Sequence, residues 1–116
     1  AQREAPAIIK REGKYYLMTS GATGWAPNQA RYWVADEIFG EWVDMGDPCI
    51  GDDKRTTFDS QSTCIFLADD GTVIYMGDRW NSDNLGDSRY IWLPVLFDDE
   101  GKMSISWQDS WTLKNP

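Results

Sequence analysis

The chain of 116 residues contains no histidine and only two cysteines, Cys49 and Cys64. Any His-based catalytic triad, and any Cys/His zinc site built from this chain alone, is therefore excluded. One disulfide is the most the cysteines could form, and their spacing decides nothing. Cys64 lies in the apolar run Cys64-Ile65-Phe66-Leu67 and is expected to be a small buried side chain. Positive charge is also scarce. Eleven Lys+Arg stand against 19 Asp+Glu, a formal net charge of −8, and such a surface repels a phosphate backbone, which sets nucleic-acid binding aside. No apolar run approaches the length of a membrane span. The opening residues Ala1-Gln2-Arg3-Glu4 are no signal peptide, although a mature or truncated chain would have lost one. Asp52, Asp53, Asp69, Asp70, Asp98 and Asp99 read as turn and surface residues. Asp69-Asp70-Gly71 is too short for an EF-hand loop, so no calcium site is expected there; no other metal and no cofactor is expected of the chain.

What the chain has in quantity is aromatic side chains: seven Trp, five Tyr and four Phe, at a mean hydropathy of −0.55. So polar a chain cannot bury all of them, and half or more are expected to pack the sheets. Rings left beside polar groups suit saccharides, because the apolar face of a pyranose stacks on a flat ring.

Helical periodicity is almost absent. Strand-like runs alternate with Gly/Asp/Asn turns, which predicts strands over 5–10, 14–20, 30–36, 41–45, 62–68, 72–78, 88–97 and 103–107. These fall into two copies of one unit. A shift of the chain by 58 places (73 minus 15) lays Tyr15-Tyr16-Leu17-Met18 on Val73-Ile74-Tyr75-Met76, Gly13 on Gly71 and Arg31-Tyr32 on Arg89-Tyr90. Four antiparallel strands at this period are the pattern of a β-propeller blade. The expectation is an all-β chain of two four-stranded blades, 1–58 and 59–116. A single eight-stranded sandwich would leave the register of the repeat unexplained. Arg31 and Arg89, matched by the shift, read as structural.

Loop lengths then select a face. The 11–13, 38–40, 69–71 and 98–101 turns are tight, whereas 21–29, 46–60 and 79–87 are long. Strands in an up-and-down sheet reverse direction, so all the long connections emerge at one end, where function tends to sit. Glu4 and Gln61, each just ahead of the first strand of its unit, share that end. Pro6 has no N–H for a ladder and suits a strand entrance, so the Ala5-Pro6 step would hold Glu4 stiffly outside the strand. In isolation Glu4 is an ordinary solvated carboxylate; that stiff step and the loop face favour a catalytic one. Because propellers close with about four to eight blades, two blades are expected to be part of a larger ring, with the rest supplied by the same protein or another chain.

The segments Glu4-Ala5-Pro6-Ala7-Ile8-Ile9-Lys10 and Gly13-Lys14-Tyr15-Tyr16-Leu17, ending in Thr19-Ser20, resemble the general-acid region of family 43 glycoside hydrolases. Ala22-Thr23-Gly24-Trp25-Ala26-Pro27-Asn28, Asp59-Ser60-Gln61-Ser62 and Tyr75-Met76-Gly77-Asp78-Arg79-Trp80-Asn81 are similar to its galactan 1,3-β-galactosidase branch. The resemblance implies the last two blades of a five-bladed propeller, secreted or periplasmic, that hydrolyses β-1,3-linked galactose with inversion. It implies Glu4 as the general acid, which must stay protonated near neutral pH with help from an Asp in earlier blades. Gln61 falls where that branch has a water-positioning Gln in place of the usual base. A neutral amide is a poor base, so the role needs an unusual tautomer or a purely orienting function; a simple hydrogen-bonding role at a strand start stays equally open, and Asp59 is the fallback base. Thr23, Trp25, Asn28, Arg79, Trp80 and Asn81 would bind the sugar, Trp80 being open between stacking and packing. Partners would be an oligo- or polysaccharide and the remaining blades. The alternatives are an arabinofuranosidase or xylosidase of the same family and a non-catalytic carbohydrate-binding propeller.

Overall fold

The computed structural model describes residues 1–114. Nine strands form it: β1 (Arg3–Arg11), β2 (Lys14–Gly21), β3 (Arg31–Ala35), β4 (Val43–Gly46), β5 (Cys49–Ile50), β6 (Gln61–Leu67), β7 (Val73–Arg79), β8 (Arg89–Phe97) and β9 (Met103–Ser106). Two short 3-10 turns, Asp52–Thr56 and Leu85–Asp87, are the helical content of the described residues. One sheet has the order β1-β2-β3-β4 and the other β5-β9-β8-β7-β6. Every pairing is antiparallel except β5 with β9. The all-β expectation and its eight strands are found with small differences at the ends; β5 and the 3-10 turns are additions. The first hairpin turns on Glu12 (φ 48) and Gly13 (φ 78), both left-handed, which matches the twist of a two-residue hairpin loop.

The core lies between the sheets. Ala7, Ile9, Tyr16, Met18 and Tyr32 from the first meet Ile65, Val73, Tyr75, Ile91, Leu93, Val95, Met103 and Ile105 from the second. Buried phenols need partners, and these two lace the sheets together. Tyr16 Oη donates to the Gly101 carbonyl at 2.9 Å, and Tyr32 Oη accepts from Met103 N at 3.1 Å.

Strand pairing refines the repeat. Glu4 faces Ser20 and Ala7 faces Met18, so β1 gains one residue on β2; Gln61 faces Asp78 and Cys64 faces Met76, the same bulge in β6. Glu4 and Gln61 therefore hold equivalent ladder positions. The third strands do not follow the simple shift. Met18 faces Tyr32 while Met76 faces Trp92, so Tyr32 corresponds to Trp92 and Arg31 to Ile91. The Arg-Tyr coincidence lies two residues out of register. Arg31 pairs instead with Asp44 at 2.8 Å and Arg89 with Asp87 at 2.8 Å, two unrelated surface ion pairs.

The corrected register shows which faces meet. Met18 and Tyr32 enter the core but their equivalents Met76 and Trp92 do not, whereas Tyr75 and Ile91 enter it and their equivalents Leu17 and Arg31 do not. The sheets thus pack opposite faces of one repeating unit, head to tail. Each sheet keeps an outer face, and on the second Tyr90, Trp92 and Leu96 are 72%, 53% and 62% exposed.

Two sequence expectations are overturned here. Cys64 is exposed, not buried, because the bulge moves Ile65 into the inward position. Cys49 is the buried cysteine, and neither forms a disulfide. Burial pushes the Cys49 thiol well above its ordinary value and leaves little thiolate. A thiol reagent is therefore expected to label one cysteine, Cys64, in the folded chain and both after unfolding; rapid labelling of two without denaturant would contradict this. The second correction concerns Glu4. It lies inside β1, not ahead of it.

Candidate active site

Glu4 is aimed by a bulge. Ala5 has φ 54, a conformation that favours glycine over alanine, and Pro6 sits where the ladder skips a residue and no N–H is required. Ser62 Oγ donates to the Ala5 carbonyl at 2.6 Å, pinning the bulge of β1 to the neighbouring β6. This brings the two equivalent positions together: Gln61 Nε2 donates to Glu4 Oε1 at 3.1 Å and to Ser20 Oγ at 3.0 Å. Gln61 Oε1 accepts from Trp80 Nε1 at 2.9 Å. Glu4, Ser20, Gln61 and Trp80 form one polar cluster at the end of the sheets where the long loops emerge.

Those loops are held by their own side chains. Asn28 Oδ1 accepts from Gly21 N at 2.7 Å, and its Nδ2 donates to the Gly21 carbonyl at 2.9 Å and to Thr23 Oγ1 at 2.6 Å. Thr23 in turn donates to the Ala26 carbonyl at 2.6 Å. Ahead of β6, Thr57, Phe58 and Asp59 are three consecutive left-handed residues, a costly arrangement for side chains with a Cβ. Their surroundings supply the compensation. Thr57 Oγ1 donates to the Asn28 carbonyl at 2.8 Å and accepts from Ala30 N at 2.9 Å. Arg79 grips the Phe58 carbonyl through Nε at 3.1 Å and Nη2 at 2.7 Å, with its guanidinium 5.0 Å from the centre of a Trp107 ring. Thr57→Val would take this partner from the buried Ala30 N–H and from the half-buried Asn28 carbonyl, so a loss of about 2 kcal/mol is expected in a urea melt. A change below about 0.5 kcal/mol would mean that the loop is held elsewhere.

The result is a cleft of about 250 Å³ walled by Trp25, Asn28, Asp59, Gln61, Arg79 and Trp80, among others. A shallower depression of about 380 Å³ adjoins it, lined by Glu4, Ala5, Gly24, Trp25 and Gln61. Trp25 and Gln61 border both, and the Trp25 and Trp80 rings lie 5.1 Å apart, tilted by 56°. Of the sugar-binding residues expected from sequence, Trp25, Asn28, Arg79 and Trp80 reach the cleft. Thr23 lines a different hollow, beside Arg3 and Arg31. Asn81 shapes its own loop, its Oδ1 accepting from Asp83 N and Asn84 N. Arg3 is held off protonation's usual ease by burial first and by Arg31 second, and its Nε donates to Thr19 Oγ1 at 2.9 Å. Two polar cleft residues that border the Glu4–Gln61 pair were among those given no role from sequence. Ser20 and Asp78 face Glu4 and Gln61 across their ladders, and Asp78 accepts from Thr63 Oγ1 at 2.7 Å. The signal for both was the pairing of the first two strands in each unit.

No family model matches the chain, and no curated protein does. Solved structures do. A GH43 β-1,3-galactosidase with galactodeoxynojirimycin is 51% identical and superposes with a TM-score of 0.91, over 95% of this chain and 32% of that one. The chain belongs to glycoside hydrolase family 43. This family 43 chain is also similar to an exo-β-1,3-galactanase from Clostridium thermocellum, at 39% identity and a TM-score of 0.77 over 89% of it and 23% of the other. An exo-β-1,3-galactanase from Phanerochaete chrysosporium with β-1,3-galactotriose gives 35% identity and a TM-score of 0.84, over 98% and 26%. The family 43 chain thus spans between about a quarter and a third of the length of these structures.

Proposed function

We propose that this chain carries the acid half of an exo-acting, inverting β-1,3-galactosidase, as the last two blades of a five-bladed propeller. The observation that carries the reading is the placement of Glu4 beside an aromatic cleft, held there by Gln61 from the equivalent position of the adjoining strand. Their 3.1 Å contact is shorter than the roughly 6.5–9.5 Å that sugar and water occupy between the two groups of an inverting enzyme, so it must open when substrate binds if Gln61 is to hold the water. An inverting glycosidase needs an acid on the leaving oxygen and a base acting on water from the opposite face. In this reading Glu4 protonates the glycosidic oxygen. Gln61 has its N–H groups engaged by Glu4 and Ser20, and its carbonyl oxygen, though taken by Trp80 once, keeps a second lone pair that can orient a water. Trp25 and Trp80 offer ring faces to the sugar, and Asn28 and Arg79 hold the loops that carry them, with Thr23 and Asn81 bracing the loop ends. A polymeric galactan is too large to enter a cell, so the protein would act as a secreted or periplasmic enzyme.

The remaining blades would cover the outer faces of both sheets, where Ile8 on one and Trp92 on the other are half exposed. The head-to-tail use of opposite faces supports this, since it leaves a further unit a surface of the right kind at each side. Isolated 13.3 kDa chain is accordingly expected to self-associate in light scattering, and a soluble, well-folded monomer would count against missing neighbours. The substrate is tested by the intact protein on β-1,3-galactan, arabinan and xylan. Release of galactose from the first alone is expected; preferential cleavage of either of the others would overturn the assignment.

A further inference from the structure

We infer that Trp80 is a positioning residue that decides which oxygen of Glu4 delivers the proton; this deepens the reading of Glu4 as the acid and rests on it. An indole nitrogen can only donate a hydrogen bond. Trp80 Nε1 lies 2.9 Å from the Gln61 side chain, so the group facing it is the amide oxygen, and the orientation of the amide follows from chemistry. The NH₂ group then faces Glu4 Oε1 at 3.1 Å and Ser20 Oγ at 3.0 Å, which engages both of its hydrogens. Glu4 Oε1 receives a hydrogen there and acts as acceptor. The transferable proton is thereby assigned to Oε2. In the reaction the Oε2–H bond breaks as a new O–H bond forms on the glycosidic oxygen, which leaves with the electron pair of its bond to the anomeric carbon; Glu4 becomes a carboxylate. Without the indole N–H the two flips of the Gln61 amide lose their distinction. The flipped amide would present its oxygen to Glu4 and accept the O–H that the leaving group needs.

The test is Trp80→Phe in the intact enzyme, which keeps an aromatic ring beside Trp25 and deletes the N–H. Turnover of β-1,3-galactobiose is expected to fall roughly tenfold or more, the scale of misplaced reacting groups, with KM little changed. On a dinitrophenyl β-galactoside, whose leaving group departs without protonation, the deficit is expected to be several-fold smaller than on the disaccharide, any remainder reflecting the altered ring face in the cleft. Wild-type turnover of the disaccharide by Trp80→Phe, or an equal deficit on both substrates, would overturn the inference. Glu4→Gln measured alongside separates the two claims. If Glu4→Gln retains full turnover the acid assignment falls; if it is inactive on the disaccharide while Trp80→Phe is not, the role of Trp80 alone falls. A second measurement does not require the Trp80 variant to fold. The Trp80 indole proton should exchange slowly with solvent in the wild type and faster in Gln61→Leu, and exchange equally fast in both would refute the contact.

Discussion

Glu4→Gln in the intact protein is expected to lower turnover of β-1,3-linked galactose by about 10²–10⁴-fold, the usual contribution of general acid catalysis. The substitution is close to isosteric and deletes little besides the proton. The carbonyl of a glutamine at position 4 can accept from Gln61 Nε2 where Glu4 Oε1 now does, at 3.1 Å. Ser62 holds the bulge through the Ala5 backbone, whatever the side chain at position 4. The cleft formed by Trp25, Trp80 and Asp59 does not include Glu4, so sugar affinity by titration should change little. A variant that binds galactose normally and no longer hydrolyses the disaccharide is the expected result. Retained hydrolysis at the wild-type rate would show that another group protonates the leaving oxygen. Loss of binding together with turnover would make Glu4 a sugar-binding residue and not an acid.

The parts of the fold legible in the sequence are those set by local alternation and turn chemistry. Glu12-Gly13 forces its hairpin because both residues must be left-handed, and the runs that flank it could hardly be anything but strands. The repeat was visible where a strand pairs with its sequence neighbour, as Tyr15 to Met18 does in each unit. It misled at Arg31 and Arg89, because identical dipeptides matched better than the true register, and the loop ahead of β8 had absorbed two residues unnoticed. A shift of two preserves the face, so no clash of polarity exposed the slip. Cys64 failed for the complementary reason. A single extra residue in a bulge reverses which side chains point inward, and nothing in Ser62-Thr63-Cys64-Ile65 announces one.

In the candidate site, Glu4 and Gln61 could be named in advance, whereas their contact could not. It depends on an alanine in a left-handed conformation and on a serine hydroxyl from another strand, and propensity predicts neither. Asn28 and Arg79 illustrate a further limit. Polar residues on long loops read as ligand-binding, yet their recorded hydrogen bonds run to Gly21, Thr23 and Phe58. A loop that must present tryptophans rigidly needs its backbone groups satisfied first, and side chains of these types are the means.

Gly77→Ala is expected to be the most damaging single-methyl change in the chain, at about 3 kcal/mol from overpacking and a lost buried hydrogen bond. Gly77 follows Tyr75 by two residues and so shares its face of β7. A Cβ at position 77 would stand 2.5 Å from Tyr75 Oη, 2.9 Å from Tyr75 Cζ and 2.8 Å from Ser60 Oγ. The ring has no room to retreat, since Tyr75 is fully buried in the core between the sheets. Its hydroxyl also ends a chain of donors. Ser60 Oγ donates to the Thr57 carbonyl at 2.6 Å, so in the 2.8 Å contact between Ser60 and Tyr75 the phenol is the donor. Burial pushes the Tyr75 phenol well above its ordinary value and keeps that proton in place. Displacing the ring therefore loosens Ser60, then the left-handed run at 57–59, and with it the wall of the cleft. Tyr75→Phe deletes the hydroxyl without adding bulk, and about 1 kcal/mol is expected from it. Urea melts of the two variants decide the matter: if Gly77→Ala costs no more than Tyr75→Phe, the strand has room that the packing denies, and the glycine is not required by the tyrosine beside it.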